Sequence, residues 1–345
     1  MEMTDNHVRS KTPEPEGGRM LDGKVAVVTG AGRGLGRAYA QALAMAGAAV
    51  VVNDIDADVA EQTTSAIVTA GGTAVAEVGA IGTTETADAV VRRALAEFGR
   101  LDVMCTNAGV LRDRTLRNTT DDDFDVVLHT HLRGTFTCGR AAVRQFRDQG
   151  DGGRLILVGS PAGQRGSFGQ TAYSAAKAAV VGLVRTWAVE CEKLGVTVNA
   201  VIPTALTRMV ATMPGLGPVV EAVERGEPVS AALRRGGMGL PDDVAPVVVY
   251  LASDAAYGIT GQCIAAGGDR ITLWSQPAEV VTACRDGGWT AEAVGDIFPA
   301  VFQPQLQDYR PLPVPTPQPS ASEGGAVAAS SAAGSGAAGA GRPAH

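Results

Sequence analysis

The chain has 345 residues, of which 45% are hydrophobic and 4% aromatic, with 44 glycines and a formal net charge of −7. This length supports a sizeable core, and the glycine-rich, aromatic-poor composition is typical of α/β proteins. Because the chain is acidic and has no run of basic residues, its composition argues against a nucleic-acid partner and against binding to an anionic membrane surface.

The first segment, residues 1–20, is polar and lacks the apolar stretch of a secretory signal, so we expect a flexible leader. No later run stays apolar for the ~18 residues that a membrane-spanning helix needs. The five cysteines show no CxxC spacing, and outside the two tails the histidines are His129 and His131. We therefore expect a cytoplasmic protein without a membrane segment and without a metal site.

Between Leu21 and Gly268, short apolar runs rich in β-branched residues alternate with longer alanine-rich segments. This alternation predicts repeated βαβ units, and hence an α/β fold with a parallel sheet covered by helices on both faces. The predicted strands are 24–29, 49–53, 73–78, 101–105, 154–159, 196–202 and 262–266. The predicted helices are 34–47, 56–71, 84–98, 121–149, 170–194 and 241–253.

A glycine-rich turn, TGAGRGLG, joins the first predicted strand to the first predicted helix. Gly30, Gly34 and Gly36 let the backbone bend sharply and approach a pyrophosphate, whose charge the N-terminus of the helix would offset. The spacing is not GxGxxG, and a tight βα turn without a ligand is the alternative. The strand before the turn and the helix after it favour a nucleotide site.

Asp54 follows directly on the second predicted strand. There its carboxylate can accept hydrogen bonds from the adenosine ribose and would repel a 2′-phosphate, which favours NAD over NADP. Two observations leave the choice open. Aspartate is also a good helix N-cap, and Arg33 in the glycine turn could attract a 2′-phosphate.

Four polar residues follow the central predicted strands. Asn107 comes just after the fourth strand, and Ser160 ends the fifth. Tyr173 and Lys177 lie four residues apart at the start of the next helix and therefore share one of its faces. Since ligands of open α/β sheets bind at the carboxyl ends of the strands, we expect these side chains to meet in one cleft.

Past the sixth predicted strand the chain departs from the βα alternation. Residues 204–239 contain six glycines and three prolines, and a connection of this length is commonly a lid over a site, although a variable surface loop is the alternative. Residues 270–310 carry spaced aromatic side chains, and we expect this aromatic arm either to cover the substrate cleft of its own or a neighbouring subunit or to form a strap on the outside. Residues 311–345 are rich in proline, alanine, glycine and serine and are expected to be disordered.

Several motifs occur in one order along residues 21–269: the glycine turn, TNAG at Asn107, Ser160, YSAAK at Tyr173–Lys177 and the ITGQ…GG ending. In these motifs the chain resembles the short-chain dehydrogenase/reductase family. The resemblance implies a single-domain, Rossmann-like, doubly wound parallel sheet of about seven strands. It also implies hydride transfer between nicotinamide dinucleotide and a secondary alcohol or ketone, and a homodimer or homotetramer formed through helices 121–149 and 170–194.

The resemblance also implies roles for the polar residues. Tyr173 would exchange a proton with the substrate, Lys177 would lower the pKa of that tyrosine and hold the nicotinamide ribose, and Ser160 would hydrogen-bond the substrate oxygen. Asn107 would support the cofactor side of the cleft. The cofactor-binding residues expected from the motifs are Gly30, Arg33, Gly34, Leu35, Gly36, Asp54, Asn107, Ala108, Gly109, Tyr173, Lys177, Pro203, Thr204 and Thr207.

Three positions depart from the family's pattern. His131 stands where the family has a helical asparagine that helps to relay protons through water, and we expect its imidazole either to hold such a water or only to pack. Ala80 stands where an aspartate would reach the adenine. Pro203 and Thr204 replace the usual Pro-Gly beside the nicotinamide carboxamide.

The segments HLRGTF and VVNDI are similar to the (3R)-hydroxyacyl-CoA dehydrogenase branch of the family, formed by the dehydrogenase domain of multifunctional enzyme type 2 and its bacterial relatives. That branch shares the histidine. We therefore expect an NAD-dependent dehydrogenase of 3-hydroxyacyl-CoA or hydroxysteroid-like alcohols. The alternatives are an NADPH-dependent 3-oxoacyl reductase and a catalytically silent nucleotide-binding regulator, and the intact Ser160, Tyr173 and Lys177 weigh against the regulator.

Overall fold

The computed structural model describes residues 18–308 apart from 213 and 214. The predicted leader, 1–20, lies outside the described residues except for its last three, and the predicted tail, 311–345, lies outside them entirely. Within the described part, no helix is both long and apolar enough to cross a membrane. No group of three or more His, Cys, Asp or Glu side chains in that part could hold a metal ion.

Eight strands form one sheet. They are β1 (Val25–Thr29), β2 (Ala49–Asp54), β3 (Thr73–Val78), β4 (Val103–Thr106), β5 (Gly153–Val158), β6 (Val196–Pro203), β7 (Cys263–Gly267) and β8 (Arg270–Leu273). The spatial order is β3-β2-β1-β4-β5-β6-β7-β8, and β1 to β7 all pair in parallel. The chain thus winds toward one edge from β1 to β3 and toward the other from β4 onward, which confirms the predicted doubly wound sheet.

The described residues form eleven α-helices, several of which cover both faces of this sheet. They are α1 (Gly34–Met45), α2 (Ala57–Thr69), α3 (Thr84–Phe98), α4 (Asp121–Leu128), α5 (Gly134–Gln149), α6 (Pro161–Arg165), α7 (Thr171–Glu190), α8 (Gly217–Glu224), α9 (Ala231–Arg235), α10 (Pro241–Ala252) and α11 (Ala291–Val301). On β1, Ala26 and Val28 face the core that includes α1 and α10, whereas Val25 and Val27 face the core that includes α3, α5 and α7. Because such strands are buried on both faces, they are apolar at nearly every position.

The single helix predicted over 121–149 is wrong in one respect: a π turn, His129–Arg133, separates α4 from α5. Such turns add a residue without ending the helix, so the apolar pattern gives little sign of them. Here the turn presses the helix against the connection after β3. Arg133 Nε donates to Gly82 O at 3.0 Å, and a Cβ on Gly134 would lie only 2.5 Å from Ile81 Cγ2.

The region after β6 is not a long loop throughout, because it contains two helices. Within 204–239, α8 and α9 pack around a small apolar cluster formed by Leu206, Leu216, Val220, Leu233 and Met238. An eighth strand, β8, pairs antiparallel with β7 and was missed because its four residues are all exposed and follow a glycine pair. Helix α11 lies in the aromatic arm, and none of its residues is buried.

Candidate active site

A cleft of about 660 Å³ opens at the carboxyl ends of β1, β2, β4, β5 and β6. It lies where the strand order reverses, the usual ligand position in such sheets. The predicted residues that line it are Gly30, Arg33, Gly34, Leu35, Gly36, Asp54, Asn107, Ala108, Gly109, His131, Tyr173, Lys177, Pro203 and Thr207. Ser160 and Thr204 are not among the lining residues, although Ser160 interacts with Tyr173.

The glycine turn leaves its backbone open to a ligand. Gly30 and Gly34 have φ of 61° and 53°, values that side chains disfavour, and a Cβ on Gly30 would lie 2.7 Å from Ala108 Cα. Arg33, at the N-cap of α1, provides no side-chain hydrogen bond to the helix. The first N–H groups of α1 are therefore available to a phosphate, and the turn fits the pyrophosphate of a dinucleotide.

Asp54 is fixed at the edge of this turn by two backbone groups. Its Oδ2 accepts a hydrogen bond from Gly32 N at 2.9 Å, and its Oδ1 accepts one from Asp56 N at 3.2 Å. Each carboxylate oxygen has a second lone pair to offer, and the side chain lines the cleft. This arrangement fits the hydroxyl groups of an adenosine ribose.

Asn107 ties the fourth strand to the glycine turn. Its Nδ2 donates to Thr29 O at 2.9 Å and to Gly30 O at 3.0 Å, while its backbone N–H donates to Thr29 Oγ1 at 3.0 Å. Ala108 N also donates to Thr29 Oγ1, at 3.1 Å. The predicted supporting role on the cofactor side therefore has a physical basis: Asn107 fixes the shape of the turn.

Ser160, Tyr173 and Lys177 lie together at the end of β5. Ser160 caps α6, accepting a hydrogen bond from Ala162 N at 3.1 Å, and its side chain also hydrogen-bonds Tyr173. Lys177 is buried, and its Nζ donates to Val158 O at 2.6 Å. The same ammonium nitrogen lies 5.8 Å from the centre of the Tyr173 ring.

The pKa of Tyr173 is raised overall, whereas the sequence led us to expect that Lys177 would lower it. Burial raises the pKa of Tyr173, the hydrogen bond with Ser160 lowers it, and the charge of Asp113 raises it. Burial lowers the pKa of Lys177 to about 7. The lysine is therefore poised to exchange a proton near neutral pH, while its direct bond is to a backbone carbonyl rather than to the phenol oxygen.

His131 lies in the π turn and is buried against the tyrosine. Its ring meets that of Tyr173 edge to face, with centroids 5.1 Å apart, and its Nε2 hydrogen-bonds Val110. Burial, together with the charge of Lys177, lowers its pKa to about 3, so the imidazole is neutral at physiological pH. Its Nδ1 is buried without a hydrogen-bond partner among the described residues.

Some lining residues carry no motif and were not predicted. Ile55 and Ile81 lie on the adenosine side, and Arg112, Arg208 and Met209 lie farther along the cleft. The two isoleucines give an apolar surface that can accept an adenine without the aspartate that Ala80 replaces. No spacing rule identifies such residues, because they come from loops that the sheet brings together.

The chain is similar to several known proteins. Residues 30–268 match the model of a family described as enoyl-(acyl carrier protein) reductase. A hydroxyacyl-CoA dehydrogenase of Mycobacterium tuberculosis is 39% identical over 289 residues, which cover 80% of this chain and 86% of that protein. The peroxisomal multifunctional enzyme type 2 of Mus musculus is 36% identical over 286 residues, covering 80% of this chain and 36% of that longer protein.

Among solved structures, a short-chain dehydrogenase from Mycobacterium avium superimposes with a TM-score of 0.71 and 35% identity, covering 81% of this chain and 94% of that chain. This chain thus combines the fold, the glycine turn and the group of Ser160, Tyr173 and Lys177, and its relatives include dehydrogenases. The chain belongs to the short-chain dehydrogenase/reductase family and is an oxidoreductase that uses a nicotinamide cofactor.

Proposed function

We propose that this enzyme oxidises a 3-hydroxyacyl-CoA thioester to the 3-ketone, or catalyses the reverse reduction, with NAD(H) as its cofactor. The observation that carries the reaction type is the meeting of Ser160, Tyr173 and Lys177 at the cleft end of β5. A nicotinamide held beside Tyr173 and Lys177 would supply the hydride chemistry. The side chains of this chain position the alcohol and move its proton.

Tyr173 is the proton-transfer residue of this proposal. In oxidation its phenolate takes the proton of the substrate hydroxyl, and in reduction the phenol returns it. Ser160 hydrogen-bonds the same substrate oxygen and holds it in place. Lys177, with its pKa lowered to about 7, accepts or releases a proton on the cofactor side and favours the phenolate when it is charged. His131 is neutral, and its buried Nδ1 would be the atom that holds a relay water.

The preference for NAD rests on the adenosine end of the cleft. Asp54 presents a carboxylate where the ribose hydroxyls would bind, and a 2′-phosphate there would meet a like charge. Arg33 is the cation that could reverse this preference, but Asp56 holds it in an ion pair with an Nη2–Oδ2 distance of 2.8 Å. The charges therefore favour NAD over NADP.

The substrate class is supported by charge and by relatives. Arg112 and Arg208 are exposed side chains in the lining of the cleft, and guanidinium groups suit the phosphates of coenzyme A, although Arg112 Nε also lies 3.9 Å from Asp123 Oδ1. Relatives named for acyl-CoA substrates include the Mycobacterium tuberculosis protein and a (2S)-[(R)-hydroxy(phenyl)methyl]succinyl-CoA dehydrogenase subunit of Thauera aromatica, which is 35% identical over 252 residues. A hydroxysteroid-like alcohol would use the same chemistry without these cations.

We further propose that the enzyme is a homodimer or homotetramer joined through α4, α5 and α7. The outer surface of these helices includes Phe136 and Val189, which are 40% and 75% exposed. The aromatic arm would cover the cleft of a neighbouring subunit. Trp274 packs on its own subunit beneath the Arg165 guanidinium, at 4.7 Å, but the described part of the arm adds no residue to the lining of its own cleft.

The test follows the absorbance of the reduced cofactor with NAD⁺ and NADP⁺ in parallel. The substrates are (3R)- and (3S)-hydroxyacyl-CoAs, hydroxysteroids and simple secondary alcohols. Turnover of a hydroxyacyl-CoA with NAD⁺ supports the proposal. Turnover of 3-oxoacyl thioesters with NADPH alone would indicate the reductase instead, and cofactor binding without turnover of any substrate would indicate a regulator.

A further inference from the structure

An ion pair beside the glycine turn joins the first two βα units. Arg33 Nη2 lies 2.8 Å from Asp56 Oδ2, and the two side chains are 50% and 38% exposed. Arg33 lines the cleft, whereas Asp56 does not. The side chain of Asp56 therefore contacts the lining of the cleft through the Arg33 guanidinium.

We propose that Asp56 is a positioning residue for cofactor choice, which holds Arg33 so that its guanidinium does not bind a 2′-phosphate. This inference rests on the proposed function, because it concerns how the same site distinguishes NAD from NADP. A bare arginine in the turn would favour the 2′-phosphate by charge and by its paired N–H donors. The ion pair with Asp56 occupies the Nη2 donor of Arg33 and offsets the positive charge of the guanidinium.

The surrounding hydrogen bonds fix this geometry. The backbone N–H of Asp56 donates to Asp54 Oδ1 at 3.2 Å, which holds the start of α2 beside Asp54. Asp56 Oδ1 accepts from Asp58 N at 3.2 Å and so caps α2, which leaves Oδ2 for the guanidinium.

A simpler role for Asp56 is the helix cap alone, and the two roles predict different results. Asparagine caps helices about as well as aspartate, so Asp56→Asn keeps the cap and removes the charge that holds Arg33. The control is Asp58→Asn, an equal charge change at an exposed residue in the first turn of α2 that does not line the cleft. Both variants are made in the full chain.

The measurement is the dissociation constant of NAD⁺ and of NADP⁺ by quenching of protein fluorescence, which needs no turnover. Because the ion pair is half exposed, we expect a modest effect: Asp56→Asn should improve NADP⁺ binding relative to NAD⁺ by roughly threefold to tenfold. Asp58→Asn should leave that ratio unchanged. In an Arg33→Ala background, Asp56→Asn should no longer change it, since the two residues act as one unit.

An unchanged ratio in Asp56→Asn would overturn this inference while leaving the proposed function intact, provided that the wild-type enzyme binds NAD⁺. An equal change in Asp58→Asn, or a change that persists without Arg33, would also overturn it. A wild-type enzyme that binds neither dinucleotide would overturn both proposals.

Discussion

The His131 imidazole and the Tyr173 ring pack edge to face, with an interplanar angle of 84° and ring centroids 5.1 Å apart. This contact places a buried, neutral histidine directly beside the residue that we propose transfers the proton. The histidine comes from the π turn between α4 and α5, and the tyrosine comes from α7. The structure thus joins the π turn and α7 beside the proposed catalytic residues.

The buried histidine makes stability depend on acidity. The pKa of His131 is about 3 in the folded protein against 6.5 for an ordinary histidine, so the unfolded chain takes up the proton first as the pH falls. The contribution of the neutral His131 to the free energy of unfolding is present above pH 6.5 and is lost progressively as the pH falls toward 3. Between pH 7 and pH 5 the contribution lost is roughly 2 kcal/mol.

The variant His131→Asn removes this titration. In urea unfolding, the free energy of unfolding of the wild type should fall more between pH 7 and pH 5 than that of the variant, by about that amount. Identical pH dependence in the two proteins would show that His131 is not buried as a neutral group.

The charge of Asp113 acts on the pKa of Tyr173. Its carboxylate accepts a hydrogen bond from Gln170 Nε2 at 3.0 Å, and its charge raises the pKa of Tyr173. Asp113→Asn should lower that pKa, so the acid limb of kcat/KM for alcohol oxidation should move to lower pH. The control Asp122→Asn makes the same charge change in the first turn of α4 and should leave the profile in place. A shift to higher pH in Asp113→Asn would contradict the prediction.

Gly36 is required by close approach of the backbone. A Cβ at this position would meet Gly30 O and would lie 2.5 Å from Asn107 Nδ2, the two groups that fix the turn. Gly36→Ala should cost about 1–3 kcal/mol of dinucleotide affinity, or roughly tenfold to hundredfold in the dissociation constant. Gly258→Ala adds the same atom where nothing lies within 4 Å and should change nothing. The measurement is the dissociation constant of the dinucleotide for both variants, obtained by titration.

The aromatic arm presents an apolar helix to its surroundings. Phe298 is 40% exposed and stacks on Phe302 with ring centroids 5.5 Å apart, and an isolated helix of 11 residues is marginal in water. If the arm covers a neighbouring cleft, Phe298→Asp should raise the KM for the acyl-CoA severalfold or reduce the oligomeric mass, while Asp296→Asn on the same helix should do neither. Truncation after Trp274 should reproduce the effect. Unchanged KM and mass in both the point variant and the truncation would show that the arm covers nothing.

The parts of the fold that followed from sequence are those set by local pattern. Strand β1 is buried on both faces, so its continuous apolar run already indicated a parallel sheet. The glycine turn and the pairing of Tyr173 with Lys177 depend on short spacings, and the cleft brings both together as expected. The domain boundaries and the role of the lid stay predictions.

The features that could not be predicted from the sequence depend on contacts between residues that lie far apart along the chain. The π turn arises where Gly134 and Arg133 press on the connection after β3, and no periodicity reports that contact. Thr204 was placed in the cofactor site by motif, but its backbone N–H donates to Ala266 O at 2.9 Å and it does not line the cleft. The bond from Lys177 to Val158 O was likewise invisible in the sequence, because it joins residues on different elements.

The central claim is that Tyr173 moves the proton in hydride transfer between NAD and a hydroxyacyl-CoA. The most direct measurement is single-turnover formation of NADH from NAD⁺ and (3R)-hydroxyacyl-CoA by the wild type and by Tyr173→Phe, with NAD⁺ binding measured on the same preparations. Loss of one positioned acid or base costs about 10²–10⁴ in rate. We expect a loss of that size with NAD⁺ affinity unchanged. Turnover by Tyr173→Phe at the wild-type rate, or no NADH from the wild type with any acyl-CoA, would contradict the account.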